Sequence, residues 1–267
     1  MKHHPEIEQL LTSLHVSPLK RYGQNFLVDQ AVIHQIISAA KIEKQDQIIE
    51  IGPGLGAITK HLPLTSTTYT SFEIDQTFHR YLQTTYPQGT HHRQNFLKAS
   101  AQPVDIVLGN LPYYITTELI EKVYKDFPNF KRAVLMVQKE VIPRLIAKPK
   151  DDAYGPLAIF LATLGTITIV TDVQPTSFYP EPHVQSTIFV IERFPGGPRV
   201  ETRDFFYFIK KLFLHRRKTI LNNYESMIQD RSLASKRLAQ AKIEPTARPE
   251  IIEVDAYLRL FALEHSK

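Results

Sequence analysis

The sequence contains no cysteine. Disulfides, thiolate-bound metals and a cysteine nucleophile are therefore excluded, and any chemistry must come from other side chains or from a bound cofactor. Long apolar runs are missing too. Nowhere do the eighteen or so consecutive hydrophobic residues of a membrane-spanning helix occur. The opening residues Met1-Lys2-His3-His4-Pro5-Glu6 lack the apolar core of a secretory leader, so a cytoplasmic protein without a membrane partner is expected. Metal ligands are sparse as well: His3-His4 and His91-His92 have no companions at metal-site spacing, and no metal is expected. What remains is a chain of 267 residues, 43% hydrophobic, long enough for one large domain with a smaller appendage. A monomer is expected.

The net charge of +5 is unevenly placed. Residues 1–199 hold 19 Lys+Arg against 18 Asp+Glu, whereas residues 200–267 hold 13 against 9. A basic segment appended to a near-neutral domain suits a polyanionic partner, because phosphate contacts supply affinity independent of sequence. A solvated basic helix face fits so small an excess equally well.

After a polar arm over 1–20, short β-rich apolar runs alternate with helical patterns, the signature of βαβ units around a mostly parallel sheet. Strands are expected over Gln47–Ile51, Thr68–Ile74, Val104–Gly109, Arg132–Gln138, Thr166–Val173 and Ser186–Glu192. Helices are expected over Gln30–Ala40, Ala57–Leu62, Gln76–Thr84, Ile115–Tyr124, Lys139–Ala147 and, more weakly patterned, Leu157–Thr163. No helix-length segment separates the last two strands, which implies an antiparallel edge on a doubly wound α/β sheet. Pro195-Gly196-Gly197-Pro198 marks a boundary, giving an expected catalytic domain over 1–197 and an all-α domain over 198–267. In the latter, helices are expected over Asp204–Tyr224, Ser232–Ala241 and Arg248–Leu263.

The strand ending at Glu50-Ile51 runs into Gly52-Pro53-Gly54-Leu55-Gly56, where an open α/β sheet binds nucleotide-like ligands at its carboxyl edge. Glycine there lets the backbone approach a ligand, but such turns also occur without one, and Gly52-x-Gly54-x-x-Ala57 satisfies a dinucleotide fingerprint as well. Glu73, closing the next strand, can accept hydrogen bonds from both hydroxyls of a ribose; otherwise it is a solvated turn acid. Glu50 is suited to orient the glycine loop or to meet an ammonium group through water. Acids around the loop favour a cationic sulfonium cofactor over a pyrophosphate, so the reading leans to S-adenosylmethionine.

The strand over Val104–Gly109 ends in Asn110-Leu111-Pro112-Tyr113. An exocyclic adenine amine is a poor nucleophile because its lone pair is delocalised into the ring. The Asn110 side-chain oxygen and the Leu111 carbonyl are suited to accept its two N–H groups, with Pro112 fixing the backbone. Tyr113 offers a stacking face to an extruded base. In-line methyl transfer needs alignment more than base catalysis, so no general base is assigned. Taken alone the tetrapeptide also reads as a strand-ending turn; its position after two acidic cofactor positions favours chemistry.

Gly23-Gln24-Asn25-Phe26-Leu27, Glu50 to Gly56, Phe72-Glu73-Ile74-Asp75, Gly109 to Tyr113, Met136 to Val141, Phe178-Tyr179-Pro180-Glu181-Pro182 and His215-Arg216-Arg217-Lys218-Thr219 follow one another in order. Together they resemble the motifs of the rRNA adenine N6-dimethyltransferase family, most of all its small-subunit branch. The resemblance implies S-adenosylmethionine-dependent dimethylation of two adjacent adenosines in the 3′-terminal hairpin of small-subunit (16S) rRNA during subunit assembly. It also implies that Asn25 and Leu27 close over the methionine end of the cofactor, Gly52 passes beneath it and Glu73 holds the ribose. Asn110 then borders cofactor and target base, and Phe178 stacks on the base opposite Tyr113, although unaided it reads equally well as a core residue. Asn95 stands where the family usually has an Asp contacting the adenine amine, so an acceptor is kept and a charge lost. Pro156, His183 and Gln185 replace a usual Arg, Lys and Asp on the RNA side. Lys210, Lys211, Arg216, Arg217 and Lys218, on about two helical turns, would meet phosphates.

Three other readings compete. Large-subunit rRNA adenine methyltransferases of the antibiotic-resistance type share the catalytic motifs, but Arg216-Arg217-Lys218 favours the small-subunit branch. A nucleotide-dependent dehydrogenase explains the glycine turn and leaves Asn110 to Tyr113 unexplained. A non-catalytic assembly factor would have no chemical need for Glu73 or Asn110.

Overall fold

The computed structural model describes residues 4–17, 24–112, 115–127, 129–200 and 202–265. Compactness divides the chain into two units, 1–140 with 167–193, and 141–166 with 194–267. One unit edge falls beside the Pro195–Pro198 turn. The segment 141–166 belongs with the C-terminal helices, which a reading along the chain alone does not show.

The first unit is built on a seven-stranded sheet. Its strands are β2 (Gln47–Ile51), β3 (Thr68–Glu73), β4 (Thr90–Arg93), β5 (Ile106–Asn110), β6 (Arg132–Gln138), β7 (Gly165–Val173) and β9 (Ser186–Arg193), in spatial order β4-β3-β2-β5-β6-β9-β7. β4 through β6 run parallel, and β9 pairs antiparallel with β6. The expected doubly wound α/β sheet with an antiparallel edge is therefore present. The apolar runs in β2, β5 and β6 arise because those strands are covered on both faces; Ile48, Val107 and Val134 are each 1% exposed or less. β4 was not expected. Its sequence Thr90-His91-His92-Arg93 is polar and only half-buried, with no alternating pattern to reveal it.

Chain order reverses between β2 and β5: β2 is followed by β3 on one side, while β5 lies on the other. This is the switch point at which such sheets open a crevice at the carboxyl ends of their strands. Helices α2 (Gln30–Ala40), α3 (Gln76–Thr85) and α4 (Thr116–Asp126) belong to this unit. Asp29 and Asp75 cap the first two by accepting the backbone N–H groups of Ala31 and Val32, and of Thr77 and Phe78. The expected helix over Ala57–Leu62 is a turn with one 3-10 stretch, Thr59–His61, because Pro63 draws Leu62 into extended backbone.

Two further elements were missed. Helix α1 (Pro5–Ser13) lies within the expected polar arm, and its Leu11 is 4% exposed in a cluster with Phe26, Leu55 and Phe78. The short strands β1 (Phe26–Leu27) and β8 (Phe178–Tyr179) pair antiparallel, Leu27 opposite Phe178. Two-residue strands leave no periodic signal.

The second unit is helical, with α5 (Ile142–Ile146), α6 (Pro156–Ala162), α7 (Thr202–Leu212), α8 (Ile220–Ile228), α9 (Arg231–Gln240) and α10 (Val254–His265). Its core is aromatic: Phe261 meets Phe205 and Phe208 edge-on at 5.3 and 5.4 Å, and Tyr257 donates to the Pro249 carbonyl at 2.7 Å. The single helix expected over Asp204–Tyr224 is two helices. Thr219 caps α8 through the Asn222 N–H, and the buried Asn223 side chain accepts from the His215 N–H and donates to the His215 and Thr219 carbonyls. These side-chain bonds stabilise a turn where periodicity alone continues a helix.

Candidate active site

The carboxyl ends of β2, β3 and β5 open into one cleft. Asn25, Leu27, Gly52, Glu73, Asn95, Asn110, Leu111 and Pro112 all line it, so the structure gathers residues spread over nearly ninety positions of sequence.

Gly52 leaves β2 with a φ of +66°, and a Cβ there would meet no atom within 4 Å. The loop thus turns through a backbone region that glycine enters without steric penalty, and leaves open space beside it. Gly54 is close-packed instead: a Cβ would lie 3.3 Å from the Phe26 ring.

Glu73 is 6% exposed. One carboxylate oxygen accepts the Gly54 N–H at 3.0 Å and the other the Asp75 N–H at 2.8 Å. Burial pushes its carboxyl above the ordinary range and the backbone hydrogen bonds oppose this. The carboxylate keeps acceptor capacity beyond its backbone bonds from Gly54, Ile74 and Asp75, which a hydroxyl of a ligand can use.

Glu50, 2% exposed, lies deeper. Its Oε2 accepts from the Thr59 and Tyr69 hydroxyls, both at 2.7 Å, and so ties the strand to the segment after the glycine loop. Burial pushes the Glu50 carboxyl up to about 7, with the charge of Glu73 adding to the rise. Two carboxyl groups this dry, the charge of one raising the other, favour a cationic ligand.

Asn95 uses its side-chain oxygen to cap the turn over 96–98, accepting the Leu97 N–H at 3.0 Å. The amide donors and a second lone pair remain for a ligand. Asn110 donates through Nδ2 to the Asn25 carbonyl at 3.3 Å, which assigns its Oδ1 as the acceptor of the pair. The Leu111 N–H is held by the Met136 carbonyl at 2.9 Å, and the Pro112 carbonyl accepts from Ile115 N–H and the Thr116 hydroxyl. The Asn110-Leu111-Pro112 backbone is thereby pinned at both ends. Tyr113 lies outside the described residues.

Phe178 requires correction. It is 0% exposed, sits in the core cluster with Leu27 and Ile33 and does not line the cleft. The cause is the pairing of β8 with β1, which sets Phe178 opposite Leu27, so as it stands no ring face is offered to a base. The core reading fits this placement. The basic residues also differ from expectation in arrangement: Lys210 and Lys211 end α7, while Arg216, Arg217 and Lys218 occupy the following turn, all exposed. Arg216 donates to the Asp152 and Tyr154 carbonyls at 3.2 and 3.0 Å. Gln185 bonds Gln174 and Lys139 at the surface of the first unit.

The apolar walls of the cleft, Phe26, Phe72, Ile74, Phe96 and Leu119, were not anticipated as site residues. For the first four, adjacency to Asn25, Glu73 and Asn95 was the available signal; Leu119, inside the helix over Thr116–Asp126, had none.

Residues 18–264 match the family model described as ribosomal RNA adenine dimethylase. The chain belongs to this dimethylase family. It is 35% identical to the ribosomal RNA small subunit methyltransferase A of Lactobacillus acidophilus, over 92% of this chain and 90% of the relative. Identity to the protein of the same name from Clostridium botulinum is 32%, over 90% and 92%. Among solved structures, a dimethyladenosine transferase from Plasmodium falciparum superposes with a TM-score of 0.77 at 25% identity, covering 90% of this chain and 96% of that one. The 23S rRNA methyltransferase ErmE shares the fold, with a TM-score of 0.65 at 24% identity over 89% and 98%. As a dimethylase, the chain is a methyltransferase using S-adenosylmethionine, and the cleft fits that cofactor in kind: a buried carboxyl at Glu73 able to accept hydroxyls, apolar walls that suit a ring, and acids that suit a cation.

Proposed function

We propose that this enzyme transfers methyl groups to N6 of two adjacent adenosines in the 3′-terminal hairpin of small-subunit rRNA, within an assembling subunit in the cytoplasm. The observation that carries the reading is the Asn110–Asn25 hydrogen bond, which fixes the side-chain oxygen of Asn110 as an acceptor in the cleft that also holds Glu73. The relatives named for small-subunit methylation favour that substrate, since they match at 32 to 35% identity over about nine-tenths of the chain.

When bound, S-adenosylmethionine supplies an electrophilic methyl group on a cationic sulfur. Glu73 holds its ribose, Gly52 leaves room beside the loop, Asn25 and Leu27 border its methionine end, and Asn95 meets the adenine. Asn110 Oδ1 and the Leu111 carbonyl accept the N–H groups of the target amine, drawing its lone pair out of the ring. Pro112 keeps these acceptors in place before substrate arrives, and Tyr113 stacks on the base. Alignment supplies much of the acceleration, so no side chain is assigned as general base. The C-terminal helical domain, 198–267, holds rRNA through Lys210, Lys211, Arg217 and Lys218, while Arg216 of the same basic motif fastens the turn that carries Arg217 and Lys218, and the protein acts as a monomer.

The deciding experiment is transfer of labelled methyl from S-adenosylmethionine to unmethylated small subunits, with the product mapped. Dimethyladenosine in the 3′-terminal hairpin is expected. Binding without incorporation would replace this reading with a non-catalytic assembly factor.

A further inference from the structure

Leu214 is the large apolar side chain most exposed among the described residues, at 71%, yet its neighbours Leu212 and Phe213 are buried at 0 and 7%. It stands on the turn after α7, and that turn is rigidly built. The Phe213 N–H bonds Ile209, the Leu214 N–H bonds Lys211, and the Asn223 side chain, 2% exposed, ties down His215, Lys218 and Thr219. Arg216 adds two bonds to the carbonyls of Asp152 and Tyr154. A leucine held outward by its own turn contributes nothing to the core of this unit.

Its surroundings are cationic. Lys210, Lys211, Arg217 and Lys218 lie within four residues on either side and are all exposed. Tyr207, 48% exposed, precedes it by two helical turns. An apolar group ringed by cations is poorly suited to an apolar protein partner, which would have to desolvate the charges, and well suited to a polyanion that also offers apolar surface. RNA offers both: phosphates for the cations, and ribose and base faces, in the shallow minor groove or at an unpaired base, for the leucine. Side chains of this kind also act as wedges between bases.

We propose that Leu214 is an RNA contact, packing against a ribose or base surface while Lys210, Lys211, Arg217 and Lys218 engage the flanking phosphates. This inference rests on the reading of the protein as an enzyme acting on rRNA. It separates two kinds of affinity within one patch, one sensitive to salt and one not.

The test is binding of unmethylated small subunits by the full chain across a monovalent salt series, comparing wild type with Leu214→Ala and Arg217→Ala. Burying a leucine side chain predicts roughly tenfold weaker binding for Leu214→Ala at every salt concentration, with the slope of log affinity against log salt unchanged. Arg217→Ala should instead lower the slope by about 1. Because Leu214 is exposed, melting temperature should not move, and circular dichroism checks this. Wild-type affinity in Leu214→Ala, with methyl transfer intact in the parent, overturns the inference and leaves the proposed function standing. A parent that neither binds nor methylates subunits overturns the function instead. Tighter retention of a protein by the parent than of deproteinised small-subunit rRNA, lost on Leu214→Ala, would assign the patch to a ribosomal protein and also overturn the inference.

Discussion

The Asn110 amide donates to the main-chain oxygen of Asn25 across 3.3 Å, joining the end of β5 to the residue before β1. Rotating that amide would bring oxygen against oxygen, so the bond selects one orientation and leaves Oδ1 as acceptor. Asn110→Ala removes the acceptor and the link together. Because Asn110 is half-buried and contributes no core surface, the variant should fold and bind RNA, while methyl transfer falls by roughly 100-fold or more, as for other preorganised hydrogen-bond partners of a reacting group. Labelled methyl transfer beside subunit binding checks this, and unchanged turnover would refute the assigned site.

Glu50 makes the stability of the cofactor-free protein depend on pH. Its carboxyl is held at about 7 by burial, against an ordinary 4.5. Below pH 4.5 folded and unfolded chains both carry the proton. Between 4.5 and 7 the unfolded chain releases it first, so stability falls as pH rises, and above 7 the loss is complete at about 3 kcal/mol or less. Glu73 is raised in the same direction and is unaltered in the comparison. Glu50→Gln keeps the bonds from Thr59 and Tyr69 and cannot ionise. It should melt higher than wild type at pH 8, and the gap should close toward pH 5. A gap independent of pH would show that Glu50 stays ionised throughout.

Leu11 links α1 to the cleft through a shared cluster with Phe26, Leu55 and Phe78, three residues that line it. Leu11→Ala deletes buried apolar surface on one side of that wall. Cofactor affinity should fall several-fold with a melting temperature lower by a few degrees, measured by titration calorimetry and thermal unfolding. Normal cofactor affinity in a destabilised variant would uncouple α1 from the cleft.

The carboxyl-edge residues were legible because each follows a strand that announces itself. Ile48, Val107 and Val134 are apolar for want of solvent on either face, so Glu50, Gly52 and Asn110 could be placed at strand ends by counting. Thr90–Arg93 gave no such notice, since a half-buried edge strand needs no apolar residues and exists through its pairing with β3. Phe178 misled in the other direction: a motif assigns it a role at the base, while long-range pairing with Leu27 puts it in the core. The turn over 213–219 was invisible because Asn223, which organises it, bonds backbone groups up to eight residues away.

Arg216 and Arg217 are adjacent and alike in charge, yet the structure gives them different work. Arg216 donates to two main-chain carbonyls, Asp152 and Tyr154, and so fastens the segment before α6 to the turn after α7. No hydrogen bond within the described residues engages the Arg217 guanidinium. Losing Arg216 leaves a carbonyl of the buried Tyr154 short of a donor, at a cost of about 1 kcal/mol because the site is partly solvated. Arg216→Ala should therefore melt a few degrees lower, and Arg217→Ala should melt as wild type while binding RNA less tightly. Arg216→Lys should recover part of the stability, since both bonds leave the single nitrogen Nη2 and an ammonium placed there carries donors enough for two carbonyls. If Arg216→Ala kept wild-type stability and lost RNA affinity as Arg217→Ala does, the two would be equivalent phosphate contacts and the division of labour would be wrong.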